Sequence, residues 1–309
     1  ADLPSKDAPF RGWIILDNKE EKLKEEKTTT ETAPTWKQNL FNVQKVAITE
    51  PRPIWFIYSG MGSQWPGMGQ KLMEIPLFDN SLKESSETLK EFGLDVYGML
   101  KNSDPEQYKN TLNCMLAITS IQIALTDLLY AIDIQPDGIL GHSTGEMGCG
   151  YADGALTRAQ TMRLAYYRGT TIMAKKEKMR GAMAAVGLSW EEAQKRCPEG
   201  VVPACHNGAD SVTISGDAEK IAEFCAQLQK EEIFAKPVDS SGIPFHSPVM
   251  QLVREEMLTA MRSVVPEPKP RSLKWISSSI PESQWDEDLA LHCSADYHVN
   301  NACSPVTFL

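Results

Sequence analysis

The chain has 309 residues, enough for one large domain or two modest ones, and its 42% hydrophobic and 23% charged residues are those of an ordinary globular protein. A formal net charge of -10 argues against a nucleic-acid surface, because phosphate binding needs clustered Lys and Arg. Seven cysteines, an odd number with no C-x-x-C pair, suit neither a disulfide framework nor a zinc site; reduced thiols in a cytoplasmic protein without a metal are the expectation.

The N-terminus, Ala1 to Gly12, lacks the basic-then-apolar pattern of a signal peptide. Asn18 to Thr32 is charged and then Thr-rich, so residues 1–50 read as a solvated linker segment. After Pro53 the pattern turns globular. Ile54 to Tyr58 is a short apolar run ending in Ser59-Gly60, as a buried strand would. A long helical region is expected from about Gly69 to Leu100, and another from Leu112 to Ile132. The apolar run Met115 to Ile134 is interrupted by Thr119, Gln122, Thr126 and Asp127, which suits a buried helix better than a membrane span. A second short strand, Gly138 to Leu140, leads into Gly141. Thr157 to Ala174 is helical. Between about 181 and 240 the order is strand (Ala182–Val186), helix (Trp190–Arg196), strand (Val201–Cys205), strand (Ser211–Ser215), helix (Glu219–Glu231), strand (Ile233–Val238). That β-α-β-β-α-β order is the ferredoxin-like unit. The fold class expected is α/β: a parallel-sheet, hydrolase-like core with an inserted ferredoxin-like subdomain.

Gly141-His142-Ser143-Thr144-Gly145 fits G-x-S-x-G and stands between a strand and a helical segment, the context that motif requires. A sharp strand-to-helix turn holds the hydroxyl at the strand's end, and glycine leaves room on either side. The alternative is an ordinary Gly-rich turn. A serine hydroxyl needs a base. Of five histidines, His142 precedes Ser143 in an extended segment and is expected to point to the opposite face. His246 is the better base. It stands just before an amphipathic helix, Val249 to Val264, with Ser247 as N-cap and Pro248 as first helical residue, although a histidine there also suits a mere capping role. Oxyanion donors are expected from the Thr144 backbone N–H and from the Gly-rich loop Ser59 to Gln64. A phosphate turn at that loop is disfavoured, because no third glycine and no Lys-Ser/Thr pair follow. Arg168 shares a helical face with Leu164 and Ile172. Spacing alone leaves two fates open: a surface arginine with an apolar stem, which is commoner, or a buried guanidinium that needs an anionic partner.

These residues resemble a known family. Gly141-His142-Ser143-x-Gly145-Glu146, followed by Gly150-Tyr151-Ala152-Asp153-Gly154, is similar to the malonyl/acetyl-transferase domain of animal-type fatty acid synthases. So are Ser59 to Trp65, Tyr167-Arg168-Gly169, Val202 to Asn207, Phe245-His246-Ser247, Glu267 to Ser272 and Val299-Asn300-Asn301, in order from about Pro53 to the last residue. Arg11-Gly12-Trp13 resembles the end of the linker that follows a ketosynthase. The resemblance implies an acyltransferase domain over 51–309, stopping before the family's closing strand and helix. It implies ping-pong transfer of malonyl and acetyl groups from CoA to the phosphopantetheine thiol of an acyl carrier protein, with no bound cofactor, no membrane and other fatty acid synthase domains as partners. Ser143 would be the nucleophile, His246 the base, and the Met61 and Thr144 N–H groups the oxyanion donors. Arg168 would bind the malonyl carboxylate, with Phe245 and Gln64 as further substrate-binding residues, and the Ser304 carbonyl would orient His246. Thr144 stands where Leu is usual, which makes the acyl pocket smaller and more polar there. A serine hydrolase such as a thioesterase, and a non-catalytic docking segment, are the alternatives.

Overall fold

The computed structural model describes residues 10–14, 41–45 and 52–309, in two compact units, 1–53 and 54–309. In the first, β1 (Phe10–Ile14) and β2 (Phe41–Lys45) form an antiparallel ladder with Gly12 opposite Val43. The expected linker segment thus contains a paired two-stranded ladder; the charged stretch Asn18 to Thr32 lies outside the described residues.

The second unit opens with β3 (Trp55–Tyr58). The long helix expected from Gly69 to Leu100 is broken into α1 (Pro76–Glu87) and α2 (Val96–Lys101) with 3-10 turns around them. The breaks have local causes: Pro76 starts α1 at a position where its missing N–H costs nothing, Gly93 turns the chain at φ 72°, and the Asp95 carboxylate caps α2 by accepting from the Gly98 N–H. α3 (Thr111–Ala131) follows, capped by Asn110; it is the one helix among the described residues long and apolar enough to cross a membrane, and it packs as a central core helix. Next come β4 (Gly138–Gly141), α4 (Gly145–Ala152) and α5 (Arg158–Lys175), the last begun by a Thr157/Gln160 capping box.

β5 (Ala182–Val186), α6 (Trp190–Arg196), β6 (Val201–Gly208), β7 (Ser211–Gly216), α7 (Ala218–Lys230) and β8 (Ala235–Val238) make the inserted subdomain. Its strands run in the order β6-β7-β5-β8, all pairs antiparallel, the ferredoxin-like arrangement. The chain then forms α8 (Arg254–Val264), β9 (Lys269–Pro270), β10 (Trp275–Ile276), α9 (Asp288–Leu291), β11 (His292–Cys293), α10 (Ala295–Cys303) and β12 (Val306–Thr307).

Two sheets position the site. The core sheet is parallel, in the order β10-β4-β3, with Trp55 opposite Gly138 and Ile139 opposite Trp275. β3 is an edge strand there, so the apolar run expected to be buried alternates: Phe56 and Tyr58 face the core, while Trp55 and Ile57 are 50% and 63% exposed. The second sheet is the insert's, extended by β12, which runs parallel to β6 with Val306 opposite Cys205. Period-2 alternation gives that sheet two working faces. Ala184, Val186, Val212 and Ile214 join Ile221, Phe224 and Leu228 in a core of the insert's own, and Met183, Cys205 and Thr213 face the cavity that holds Ser143.

Candidate active site

Ser143 ends the strand-to-turn passage from β4 into α4 at φ 51°, a left-handed conformation that a non-glycine residue adopts only where its surroundings enforce it. The enforcement is steric. A Cβ at Gly145 would collide with the Tyr58 carbonyl, and one at Gly60 would stand 2.7 Å from the His142 carbonyl oxygen, so both backbones approach as only glycine allows. The reversal at Ser143 also breaks the alternation from which His142 was expected on the opposite face. The two side chains line the same cavity, and His142 Nε2 donates to Asn207 Oδ1 at 2.9 Å, the acceptor atom because Asn207 Nδ2 donates to Thr213.

His246 lies 103 residues further on, also left-handed at φ 58°. It is set by the turn Ile243 to Ser247, which differs from expectation. Ser247 holds the N-cap position with Pro248 after it, but its hydroxyl donates back to the Pro244 carbonyl at 2.7 Å and does not cap; the helix starts as a 3-10 turn, Pro248–Val253, before α8. The hydroxyl therefore closes the turn that carries His246 instead of the helix after it. His246 Nδ1 meets the Ser304 carbonyl at 2.9 Å and Nε2 meets Ser143 Oγ at 2.7 Å. A carbonyl only accepts, so Nδ1 carries the proton and the Nε2 lone pair accepts from the serine hydroxyl. Burial, then the Arg168 charge, pushes the His246 pKa down to about 3, so the imidazole is neutral and free to take a proton.

Arg168 is 1% exposed. Its guanidinium donates to Asn301 Oδ1 at 2.5 Å and to Ser143 Oγ at 3.1 Å, and its Nε–H has no partner. No carboxylate among the described residues pairs with it. Burial pushes its pKa down to about 10, which leaves it cationic. An ionised, fully buried guanidinium on the cavity wall, without a counter-ion, is prepared for an anion brought from outside.

The cavity gathers most of the residues the sequence singled out: Ser143, His246, Arg168, Met61, Thr144 and Phe245 all line it, and Ser304 acts on it through its carbonyl. The Thr144 hydroxyl is buried without a partner. Gln64 is placed differently. Its Oε1 accepts from the Gly62 N–H at 2.8 Å, bracing the loop, and the side chain is not part of the cavity wall. Residues that spacing could not flag complete the lining: Met115 on α3, and Met183, Cys205, Thr213, Val238, Asp239 and Ser240 from the insert and its end. Cys205 is no rival nucleophile, because burial pushes its thiol up to about 12 and keeps it protonated. Asn301, the partner of Arg168, stands in Val299-Asn300-Asn301, a stretch to which the sequence assigns no role; only a contact 133 residues away in sequence reveals it. Among the described residues no group of three His, Cys, Asp or Glu side chains could share a metal ion.

Comparisons with known proteins give the family and the fold. Residues 55–309 match the acyl transferase domain family. The highly reducing polyketide synthase alnA of Emericella nidulans is 35% identical over 262 residues, 82% of this chain and 10% of that protein. The chain thus spans about a tenth of the length of the curated relatives it matches. Among solved structures, the acyltransferase domain of the polyketide synthase PpsC of Mycobacterium tuberculosis has a TM-score of 0.73 at 25% identity, covering 83% of this chain and 77% of that one. A malonyl-CoA:acyl carrier protein transacylase from Xanthomonas oryzae pv. oryzae has a TM-score of 0.71 at 24% identity, covering 84% and 82%.

Proposed function

We propose, since this chain belongs to the acyl transferase domain family, that it transfers malonyl and acetyl groups from CoA to the phosphopantetheine thiol of an acyl carrier protein. The observation that carries this reading is one buried constellation: Ser143 Oγ lies 2.7 Å from the His246 base and 3.1 Å from an Arg168 guanidinium that lacks a counter-ion.

The reaction runs in two symmetrical halves. Ser143 Oγ attacks the thioester carbonyl as its proton passes to His246 Nε2, and the oxyanion takes donation from the Met61 and Thr144 N–H groups. Collapse breaks the C–S bond, and the departing CoA sulfur takes the proton from His246. The carrier's thiol then gives its proton to His246 and attacks the acyl-serine, and Ser143 Oγ leaves with that proton. Arg168 has two effects. Its charge opposes formation of the imidazolium on His246, and a malonyl carboxylate paired with it cancels that opposition. The base is thereby strengthened when a carboxylated substrate fills the cavity, and malonyl is favoured over acetyl. Phe245 forms part of the acyl wall, and Thr144, shorter than a leucine, makes that wall more polar and leaves more room beside it, not the smaller pocket expected.

The sequence pattern supports an animal-type fatty acid synthase as the parent assembly, with residues 1–50 linking a preceding ketosynthase to the acyltransferase and with cytoplasmic placement. A second parent, a polyketide synthase, is favoured by the relatives named above, and the same half-reactions serve it. Intact-protein mass spectrometry after brief mixing with malonyl-CoA tests the chemistry, with Ser143→Ala as control. A malonyl adduct absent from the variant, then discharged onto a holo carrier protein, is expected. Free malonic acid with no transfer to the carrier would instead make the chain a hydrolase, and a folded sample with neither adduct nor released CoA would make it a docking segment.

A further inference from the structure

The serine elbow and the carbonyl that orients His246 stand on elements far apart in sequence, and one buried carboxylate joins them. Glu146, three residues past Ser143 on α4, is 0% exposed. Its Oε1 accepts from the Ser278 N–H at 2.7 Å and the Ser278 hydroxyl at 2.8 Å. Its Oε2 accepts from Trp275 Nε1 at 2.7 Å and the Tyr297 hydroxyl at 2.9 Å. Four donors surround it, which suits a carboxylate and not an amide. Arg271, over the Trp275 and Tyr297 rings at 4.4 and 4.8 Å, supplies a positive charge behind them. Burial pushes the Glu146 pKa up, and Arg271 and the donors oppose that.

From Ser278 the bonding runs on in two directions. The Ser278 hydroxyl shares its single proton between Glu146 Oε1 and the Gly141 carbonyl, at the end of the strand that delivers Ser143. The Ser278 carbonyl accepts from the Thr307 N–H at 2.8 Å, and the Ser279 carbonyl accepts from Asn300 Nδ2 at 2.9 Å. Asn300 in turn holds Ser304 twice: its Oδ1 accepts from the Ser304 hydroxyl and its carbonyl from the Ser304 N–H, both at 2.9 Å. Ser304, whose carbonyl meets His246, is therefore gripped before and after itself, and both grips end on the Ser278-Ser279 backbone.

We propose that Glu146, acting through Ser278, is a positioning residue: it ties the loop that holds the Ser304 carbonyl to the Ser143 elbow, and so fixes the orientation of His246. Its kinetic consequences rest on the acyl-Ser143 reading above; its geometry does not.

The two edges of the carboxylate allow a directional test. Ser278→Ala removes a donor from the edge that faces the Ser304 loop, and Tyr297→Phe removes one from the opposite edge. In the 309-residue chain, the hydrogen-bonded His246 Nδ1 proton is followed by NMR with nitrogen-labelled histidine, alongside malonyl loading of Ser143 and the unfolding temperature. Ser278→Ala is expected to shift or broaden the imidazole N–H signal and slow loading about tenfold to a hundredfold, with KM for malonyl-CoA little changed. Tyr297→Phe is expected to lower the unfolding temperature but leave that signal in place. Asn300→Ala cuts the second grip without touching Glu146 and is expected to move the signal too; it decides the matter if Ser278→Ala does not fold. An unmoved signal in Ser278→Ala or Asn300→Ala, or an equal movement in Tyr297→Phe, overturns the proposal. If the unaltered chain loads no acyl group, the acyl-transfer reading fails, and the imidazole signal still decides the positioning role.

Discussion

The ferredoxin-like insert and the parallel core that carries it solve different problems with the same chain. The insert is built from local rules. Ser189 and Glu192 form a capping box, Asp217 caps α7, and alternating Ala184, Val186, Val212 and Ile214 fill an apolar core. The core beside it buries what the insert's own apolar core leaves out: a neutral His246, a cationic Arg168 and a Glu146 ringed by donors. Each is costly alone and tolerable only when several elements meet around it. One region holds its shape by satisfying its preferences; the other holds a reactive arrangement by overriding them.

That contrast can be broken by experiment. The largest effect should come from Ser143→Ala, which is expected to lower acyl loading at least about a thousandfold while the unfolding temperature stays near its original value, as intact-mass and calorimetric measurements would show. The mirror image is Ile214→Ala in the insert, expected to cost about 3 kcal/mol of stability through the cavity it leaves, with loading per folded molecule changed less than about threefold. If Ile214→Ala abolished loading in a folded sample, the two regions would not be separable. Arg168→Ala is expected to slow malonyl loading about thirtyfold, or ~2 kcal/mol, and to keep or raise acetyl loading, since the His246 base is then relieved of a neighbouring charge. Equal loss with both substrates in a rate comparison would make Arg168 a structural residue.

Acid should find the core before the insert. Burial pushes His246 and His298 down to about 3, below the ordinary histidine value of about 6.5. Unfolded chains therefore bind these protons first as pH falls. The stability they contribute is complete above about pH 6.5 and is lost down to about pH 3, at up to ~1.4 kcal/mol per pH unit for each. Hydrogen exchange at decreasing pH should show α10 losing protection before β5 and β7; the reverse order would contradict the assignment. Smallest of all, Ser189→Ala should cost about 1 kcal/mol by removing a helix cap, read by denaturant unfolding, with no change in loading.

What could be read from the sequence divides along the same line. The insert's strands and helices fall within three residues of where periodicity and caps put them, because period-2 and period-3.6 patterns are printed by neighbours in the chain. The strand-serine-helix passage at Gly141 to Gly145 was legible for the same reason, and so was the choice of His246 from only five histidines. The one long helix that the pattern does not deliver, Gly69 to Leu100, is punctuated by single residues, Pro76 and Gly93, and β3 departs where an apolar run meets a sheet edge.

Sequence by itself determined the order of the insert's elements, the turn at Ser143 and the short list of histidines, since each is written in residues near one another in the chain or in a simple count. Tertiary structure alone decided that His142 shares the cavity with Ser143, and that Arg168 is buried against Asn301 without a counter-ion among the described residues. Those outcomes depend on which elements come together and which charges lose their water, and no local pattern encodes a desolvation that happens 25 to 133 residues away.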